Sequence, residues 1–215
     1  IFYIKERFKI LDDIKNYFPE LSKDQIIKFE NLYNLYKFWN SKINLISRKD
    51  FSFFYERHVL YSLSIAKFFK FKKNSLILDV GTGGGFPGIP LAIMFPESFF
   101  YLIDGIGKKI LAVKDVIKKI ELNNVIAEKV RAENFEKKFD FIVSRGVTKI
   151  DNLVPLISKN ISNNCNHKIS NGLIYLKGGE LNREMKIYSD SKEFQIKKIF
   201  RNDFFESKKV LYIPL

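Results

Sequence analysis

The sequence has few of the residues that form disulfides or metal sites. Its 215 residues include one cysteine, Cys165, and two histidines. A single cysteine cannot form an internal disulfide, which is typical of proteins from a reducing compartment. One cysteine and two histidines are too few for the usual zinc-binding motifs. The sequence also has neither a Ser-His-Asp arrangement nor a P-loop. We therefore expect a cytoplasmic protein without a bound metal.

Long hydrophobic runs are also missing. The longest apolar stretch, Leu76–Phe95, contains Asp79, five glycines and two prolines, which a membrane span of about 20 residues would not tolerate. The segment Ile1–Phe18 mixes charged and apolar residues, which predicts an amphipathic helix and not a signal peptide. Hydrophobic residues make up 46% of the chain, enough to form a folded core. We expect a folded protein with no membrane segment.

Arginine is scarce although the chain is strongly basic. The formal net charge is +13, and only 7 of the 37 basic residues are arginines. A positive charge of this size is typical of proteins that bind RNA or DNA. The alternative is the lysine-rich composition of an AT-rich genome. Because arginine has a planar guanidinium that lysine cannot replace, the retained arginines are candidate functional residues. Three of them, Arg48, Arg57 and Arg145, lie beside the motifs described below.

The first 70 residues are predicted to be helical. Ser22-Lys-Asp-Gln25 is a capping box, and the apolar residues that follow recur at helical spacing until Trp39. Asn40–Asp50 is a polar turn, and Phe51–Phe69 is predicted to form an aromatic-rich helix. We expect residues 1–70 to be a helical extension that packs on a core formed by residues 71–215, the two together making a single structural domain.

Strands and helices alternate from Ser75 onward. The predicted helices are Lys108–Ile120 and Ile150–Ile161. The predicted strands are Ser75–Val80, Ser98–Ile103, Asn124–Lys129, Phe139–Ser144, Gly172–Lys177, and a closing pair, Phe194–Phe200 and Lys208–Ile213. This alternation predicts an α/β fold with a mostly parallel, doubly wound sheet of seven strands, flanked by helices.

The most specific motif follows the first strand and reads Asp79-Val-Gly-Thr-Gly-Gly-Gly-Phe-Pro-Gly88. Glycines at this place let a ligand approach the backbone closely. Pro87 interrupts the position where a dinucleotide-binding helix would begin, so the loop is a poor phosphate cradle. An acid followed by Gly81 and Gly83 suits S-adenosylmethionine, with Asp79 either accepting from its ammonium group or ordering the loop. The alternative is a glycine-rich turn without a ligand.

Further candidate residues follow the later strands. Asp104 ends the second strand at the distance typical of an acid that binds ribose hydroxyls, or it is a helix cap. Glu133 follows the third strand, where the chain flanks an adenine ring in this fold, or it is a surface acid. Arg145 ends the fourth strand and is expected to project into the site, unless it forms a structural ion pair. His58, without metal-ligand neighbours, is either functional or a buried structural histidine.

These motifs together resemble one family, the bacterial 16S ribosomal RNA guanine-N7 methyltransferases, the RsmG or glucose-inhibited division protein B family. The resemblance covers most of the chain and is weak after Gly179. Two departures are Gly105, where the family usually has serine, and Gly146, where it usually has alanine. The similar segments are Phe38–Arg48, Glu56–His58, Leu78–Leu91, Asp104–Lys109, Ala132–Glu133, Ser144–Arg145 and Leu176–Gly178.

The resemblance implies a Rossmann-like class I methyltransferase with S-adenosylmethionine as its cofactor. It implies methylation of a guanine N7 in the decoding region of 16S ribosomal RNA, as free RNA or in the small ribosomal subunit. Arg145 is the candidate catalytic residue, and Arg48, Arg57, His58 and Lys177 are candidate RNA contacts. The candidate cofactor residues are Asp79, Gly81, Gly83, Phe86, Asp104, Ala132, Glu133 and Arg145.

Two other functions remain open from the sequence. One is methylation of a small molecule or a protein by the same fold, because a fold does not determine its substrate. The other is a non-catalytic Rossmann-like protein that binds RNA or NAD. The basic charge argues against the first, and the interruption at Pro87 argues against NAD. We also expect the chain to be a monomer.

Overall fold

A computed structural model describes residues 13–215, apart from the side chains at positions 183 and 184. Its centre is a seven-stranded sheet with the strand order β3-β2-β1-β4-β5-β7-β6. The first five strands are parallel, whereas β7 is antiparallel to both β5 and β6. The predicted α/β, Rossmann-like sheet is thereby confirmed. The strands are β1 (Leu76–Val80), β2 (Phe99–Asp104), β3 (Val125–Lys129), β4 (Phe141–Arg145), β5 (Gly172–Gly178), β6 (Lys192–Gln195) and β7 (Lys208–Pro214).

Helices precede the sheet and cover its faces. In the described part of the chain, four helices lie between Ser22 and β1, three alternate with the parallel strands and one precedes β6, with a π-helical turn, Tyr55–Leu60, between the second and third of the four. They are α1 (Lys23–Lys42), α2 (Arg48–Phe51), α3 (Tyr61–Leu63), α4 (Ile65–Phe68), α5 (Gly88–Met94), α6 (Gly107–Lys119), α7 (Ile150–Ile157) and α8 (Asn182–Ile187).

Helix α1 begins at the predicted capping box. Ser22 accepts from the Gln25 backbone, and the Gln25 side chain accepts from the Ser22 backbone. The Gln25 amide also donates to the Ile93 carbonyl at 2.7 Å, which ties the start of α1 to the end of α5. Phe29, Leu32 and Tyr36 form the buried stripe, spaced three or four residues apart as one helical face requires.

The N-terminal helices share one hydrophobic core with a face of the sheet. This core includes Leu32 of α1, Leu63 of α3 and Ile174 of β5, all fully buried. The division of the chain near residue 70 stays a prediction. Residues 13–17 are helical, and the rest of the predicted helix at Ile1–Phe18 lies outside the described residues except for Phe18, which is buried.

The prediction of one continuous helix over Phe51–Phe69 was wrong. The segment contains the end of α2, the π-helical turn, α3 and α4. Helix α2 starts earlier, at the Ser47 cap, within the predicted polar turn. The π-helical turn widens the backbone and directs the Arg57 carbonyl and the His58 ring toward Arg145. Such turns are frequent at functional sites, and side-chain periodicity does not reveal them.

Two other boundaries differ from the prediction. The strand expected at Phe194–Phe200 is only Lys192–Gln195, and a 3₁₀ turn follows it. Ile196 and Phe200 are both fully buried, and the Phe200 amide donates to the Ile196 carbonyl at 3.0 Å. A hydrogen bond from an amide to the carbonyl four residues earlier is made in a helical turn and not in a strand. The helix predicted to reach Ile161 ends at Ile157 and continues as a 3₁₀ turn.

Candidate active site

A cavity of about 580 Å³ lies at the carboxyl ends of the parallel strands. The loops that follow β1, β2, β3 and β4 form its walls. Ligands of open α/β sheets bind at this edge, where loops from neighbouring strands meet. The structure brings together all but one of the predicted cofactor residues here. The predicted residues that line the cavity are Gly81, Gly83, Phe86, Asp104, Ala132, Glu133 and Arg145.

Asp79 lies beneath the glycine loop and is fully buried. Its Oδ2 accepts from the Thr82 hydroxyl at 2.6 Å and from the Gly88 amide at 2.8 Å. A Cβ at position 88 would lie 2.7 Å from this oxygen, which explains the glycine there. Burial raises the pKa of Asp79 to about 7, although both hydrogen bonds oppose the shift. Asp79 therefore orders the loop, and its Oδ1 has no partner among the described residues.

Gly83 and Asp104 both line the cavity and are joined by a hydrogen bond. Gly83 has a φ of +59°, a backbone conformation that residues with a Cβ rarely adopt. The only atom within 4 Å of an added Cβ would be the Gly81 carbonyl oxygen, at 4.0 Å. The Gly83 amide donates to Asp104 Oδ2 at 3.0 Å, and the Ile106 amide donates to Oδ1 at 2.8 Å. Asp104 therefore joins the glycine loop to the loop that follows β2. The helix-cap alternative was wrong, because α6 has Ile106 at its N-cap and no side-chain capping bond, and ribose binding stays a prediction.

Tyr36 of α1 is hydrogen-bonded to the same glycine loop. The sequence motifs did not indicate this contact. Its hydroxyl donates to the Gly84 carbonyl at 2.5 Å, and its ring lies 5.0 Å from the Phe86 ring. Burial raises the pKa of this tyrosine, so the hydroxyl keeps its proton. Tyr36 was interpreted as part of the apolar stripe of α1. Nothing in that stripe distinguishes a packing ring from one that holds a loop 48 residues away.

Arg145 ends β4, and its guanidinium is half-buried at the wall of the cavity. Its guanidinium donates to the Arg57 carbonyl at 3.3 Å and to His58 Nδ1 at 3.1 Å. It also lies over the Phe86 ring, 5.2 Å from the ring centre. Within residues 13–215, no carboxylate lies at ion-pair distance from it, so the described residues give no support to the structural ion pair considered for Arg145.

His58 is the acceptor for that guanidinium. Burial and the neighbouring positive charge of Arg145 lower the pKa of His58 to about 3. The imidazole is therefore neutral at physiological pH, and because Arg145 can only donate, Nδ1 accepts and Nε2 carries the hydrogen. Nε2 is buried without a partner in the described part of the chain. His58 is thus a half-buried histidine that orients Arg145 from outside the cavity lining.

Glu133 lies on the opposite wall, in the 3₁₀ turn Ala132–Asn134 that follows β3. Its carboxylate is half exposed and lies 3.7 Å from Arg131. Lys159 donates to its backbone carbonyl at 2.5 Å. The side chain is therefore near the cavity without being held by a strong buried contact.

The other predicted RNA residues lie outside the cavity lining. Arg57 pairs with Asp50 at 2.6 Å, and its guanidinium lies 4.0 Å from the Phe53 ring centre. The Ser47 hydroxyl and then Arg57 lower the pKa of Asp50. Arg48 is exposed at the start of α2, beside a surface hollow formed with residues 40–47. Lys177 is half-buried near the end of β5. Their contact with RNA stays a prediction.

Other kinds of site receive no support from residues 13–215. Over this range, no cluster of three or more His, Cys, Asp or Glu side chains could hold a metal ion. The described helices are also too short or too polar to span a membrane.

The residues present fit a molecule that combines a polar amino-acid group with a nucleoside. Among the described residues, Asp79 Oδ1 is a buried acceptor without a partner, and Arg145 is a half-buried cation without a carboxylate at ion-pair distance. Gly83 leaves open space at the centre of the loop. S-adenosylmethionine has an ammonium, a carboxylate and an adenosine, for which this donor and acceptor set is suitable.

Comparison with solved structures agrees with this class of fold. A SAM-dependent methyltransferase from Aquifex aeolicus superposes with a TM-score of 0.53 at 15% identity, covering 71% of this chain and 88% of that one. M. jannaschii TYW2 in complex with AdoMet gives 0.52 at 16% identity, covering 70% and 71%. The strand order and the glycine loop together define a Rossmann-like class I methyltransferase fold.

Comparison with known sequences is more specific. The family model described as "GidB: rRNA small subunit methyltransferase G" matches residues 25–210. The chain is 52% identical to ribosomal RNA small subunit methyltransferase G of Flavobacterium psychrophilum, covering 95% of this chain and 98% of that protein. The protein of the same name from Phocaeicola vulgatus is 49% identical, covering 94% and 97%. This chain belongs to the rRNA small subunit methyltransferase G family.

Proposed function

We propose that this chain transfers a methyl group from S-adenosylmethionine to N7 of a guanine in the decoding region of 16S ribosomal RNA. The strongest support is a single observation, that one cavity collects Asp104, Glu133 and Arg145 around the glycine loop. Three separate strand ends or loops supply these side chains. The family match over residues 25–210 supports the RNA substrate.

The cofactor supplies a methyl group activated by a sulfonium. Around it, the glycine loop and Asp79 hold the amino-acid end, and Ala132 and Glu133 flank the base. Asp104 closes the ribose side. Each of these residues binds or orients, and none has to remove a proton.

Guanine N7 carries a free lone pair, so its methylation requires no general base. The lining of the cavity is consistent with this chemistry, because no histidine lines it among the described residues. His58, the nearest one, has its Nδ1 engaged by Arg145 and a pKa of about 3. Catalysis then depends on positioning and electrostatics.

Arg145 has the central electrostatic role in this proposal. Its guanidinium is held by the Arg57 carbonyl, by His58 and by the Phe86 ring face. A charge fixed in this way is preorganised and does not have to reorient during the reaction. It binds the cofactor and keeps the reacting groups aligned, so its loss should impair turnover as well as affinity.

The RNA must present its guanine from an open loop or flip it out of a helix, because a paired and stacked base cannot enter such a cavity. Basic residues outside the cavity would hold the phosphates. Arg48 is exposed beside the loop that contributes Leu45 to the cavity. Arg57, His58 and Lys177 complete the proposed RNA side, with His58 acting through Arg145. We further propose that the chain acts in the cytoplasm and is a monomer. Size-exclusion chromatography with light scattering checks the oligomeric state.

The test is a methyl-transfer assay with purified chain and isotope-labelled S-adenosylmethionine. Small ribosomal subunits, deproteinised 16S RNA and bulk cellular protein and metabolites serve as separate substrates, and mass spectrometry maps the label. Label at a guanine N7 in the decoding region is expected. Label only in protein or small molecules would favour the alternative methyltransferase, and no label on any substrate would contradict the proposal.

The matched variants are Gly83→Val and Gly179→Val. Both glycines have positive φ, +59° and +83°, and neither has a close neighbour where a side chain would go. Only Gly83 lines the cavity. Gly83→Val should weaken S-adenosylmethionine binding at least tenfold, about 1.4 kcal/mol, because branched bulk would enter the cofactor space. Gly179→Val has comparable backbone strain and should bind normally. Equal affinities in the two folded variants, measured by calorimetry, would place the cofactor elsewhere.

A further inference from the structure

The segment 43–47, which connects α1 to α2, reaches the cofactor cavity. Its Leu45 lines the cavity, whereas every other lining residue of the described chain belongs to β1 or to a later part of the sequence. The sheet and its loops therefore form the rest of the cavity lining, and Leu45 is the side chain that the N-terminal helices add to it. The proposed methyl transfer gives this side chain no role so far.

Leu45 lies at the glycine-loop end of the cavity. A Cβ built on Gly84 would lie 3.6 Å from Leu45 Cβ and 3.6 Å from Phe86 Cδ2, so the two side chains flank the same glycine. The Phe86 ring centre in turn lies 5.2 Å from the Arg145 guanidinium carbon. Leu45 thus belongs to the end of the cavity where, in the proposed function, the amino-acid group of the cofactor is held and the reacting groups are aligned.

One side chain fixes the segment 43–47 after α1. The helix ends at Lys42, and Ile43 is extended, with φ −141° and ψ 146°. Asn40 Oδ1 then accepts from the Leu45 amide at 3.0 Å and from the Ile46 amide at 2.9 Å. The Ile46 side chain is buried in the core. Two hydrogen bonds to one acceptor and a buried neighbour therefore restrict the Leu45 backbone.

The other end of the segment 43–47 is connected to Arg145. The Ser47 hydroxyl donates to Asp50 at 2.7 Å, and Asp50 pairs with Arg57 at 2.6 Å. The Arg57 carbonyl accepts from the Arg145 guanidinium at 3.3 Å. Arg145 and the segment are thus joined through neighbouring residues, which keeps their relative position in the cavity wall.

The chemistry of Leu45 suits one face of the acceptor base. A guanine has flat faces of low polarity, and bases taken out of a helix pack between apolar or aromatic side chains. The acceptor has to approach the methyl group from the end of the cavity where the reacting groups are aligned. A leucine there packs against the ring without donating a hydrogen bond, so it leaves the N7 lone pair free to take the methyl group.

We propose that Leu45 contacts one face of the acceptor guanine and that Asn40 is the positioning residue that holds Leu45 in place. This inference rests on the proposed function, because it assigns one wall of the acceptor site for the same reaction. The N-terminal helices then serve the reaction directly as well as the hydrophobic core.

The first test compares four variants of the whole chain. Leu45→Ala removes the contact, Asn40→Leu removes both hydrogen bonds at similar size, and Asn40→Asp keeps an acceptor oxygen. Asn34→Leu is the matched control, because Asn34 is an exposed asparagine of the same helix and lies outside the cavity. The measurements are kcat and KM with the ribosomal substrate that the unchanged chain labels, S-adenosylhomocysteine affinity by calorimetry, and thermal unfolding.

Leu45→Ala and Asn40→Leu should each lower kcat at least about tenfold, because a misplaced base reacts slowly. Both should keep the affinity for S-adenosylhomocysteine. Asn40→Asp should restore most of kcat, and Asn34→Leu should change nothing. An unchanged kcat in Leu45→Ala, or a cofactor affinity that falls in parallel with kcat, would overturn the contact with the base. Equal losses in Asn40→Asp and Asn40→Leu would overturn the positioning role.

The second test does not depend on methyl transfer. Guanosine is added to the chain with saturating S-adenosylhomocysteine, and NMR measures nuclear Overhauser contacts between the guanosine H8 proton and leucine methyl groups. The Leu45 signals are identified by their loss in Leu45→Ala. A contact between H8 and Leu45 is expected. If this contact is absent while the unchanged chain methylates RNA, the inference is wrong and the proposed function stands. If the contact is present and no RNA is methylated, the proposed function is wrong and the guanine contact stands.

Discussion

The hydrogen bond between Tyr36 and the glycine loop provides a test of how the N-terminal helices serve the site. The variant is Tyr36→Phe, which removes the hydroxyl and keeps the ring among Phe54 and Phe86. Tyr36 is fully buried and Gly84 is buried as well. The variant therefore leaves the Gly84 carbonyl without its donor in a place that water does not reach.

The expected cost follows from that burial. An unsatisfied buried carbonyl costs about 1–3 kcal/mol of stability. Because the ring is unchanged, the substitution leaves no new cavity that would add to this cost. For a chain of this size, each kcal/mol lowers the melting temperature by roughly 2–4 °C. The affinity for S-adenosylhomocysteine should fall too, by up to about tenfold if 1.4 kcal/mol of the loss acts on the loop.

Urea unfolding and calorimetry measure the two effects. The matched control is Tyr17→Phe, because the Tyr17 ring packs against Phe200 at 4.6 Å and its hydroxyl has no hydrogen bond in the described structure. That control should change neither quantity. If Tyr36→Phe unfolds at the same urea concentration as the unchanged chain, Tyr36 does not hold the loop and the reasoning is wrong.

Three further predictions concern charge. Burial raises the pKa of Asp79 from its ordinary 3.8 to about 7, so between these values the folded chain keeps a proton that the unfolded chain releases. The stability from this group therefore falls as pH rises from about 4 to 7, by up to about 1.4 kcal/mol per pH unit, and is constant above. Asp79→Asn should flatten that part of the curve in urea unfolding at several pH values, and an unaltered slope would contradict the assignment. Arg57→Ala should cost about 1 kcal/mol through loss of the Asp50 pair and the Phe53 contact. Arg48→Ala should leave stability unchanged and lower the salt slope of RNA binding by about 1; a normal slope would exclude Arg48 as a phosphate contact.

Local patterns in the sequence were sufficient to predict the sheet and most of the cofactor cavity. Buried strands followed by glycines or acids are short-range signals, and parallel strands bring their carboxyl ends to one edge whatever the rest of the chain does. For that reason Gly83, Asp104, Glu133 and Arg145 were expected together and do line one cavity. The capping box at Ser22 is equally local, and it begins α1 as predicted.

Contacts between distant segments were decided by the tertiary structure alone. Arg145 meets His58 across 87 residues, and Tyr36 reaches Gly84 across 48. These pairs depend on how α1 and the π-helical turn pack against the sheet. No periodicity reports this, because a buried tyrosine that packs and one that donates occupy the same helical face. The same reason explains a separate cavity of about 520 Å³, where Phe68 of α4, Phe141 of β4 and Phe194 of β6 meet only because three elements converge.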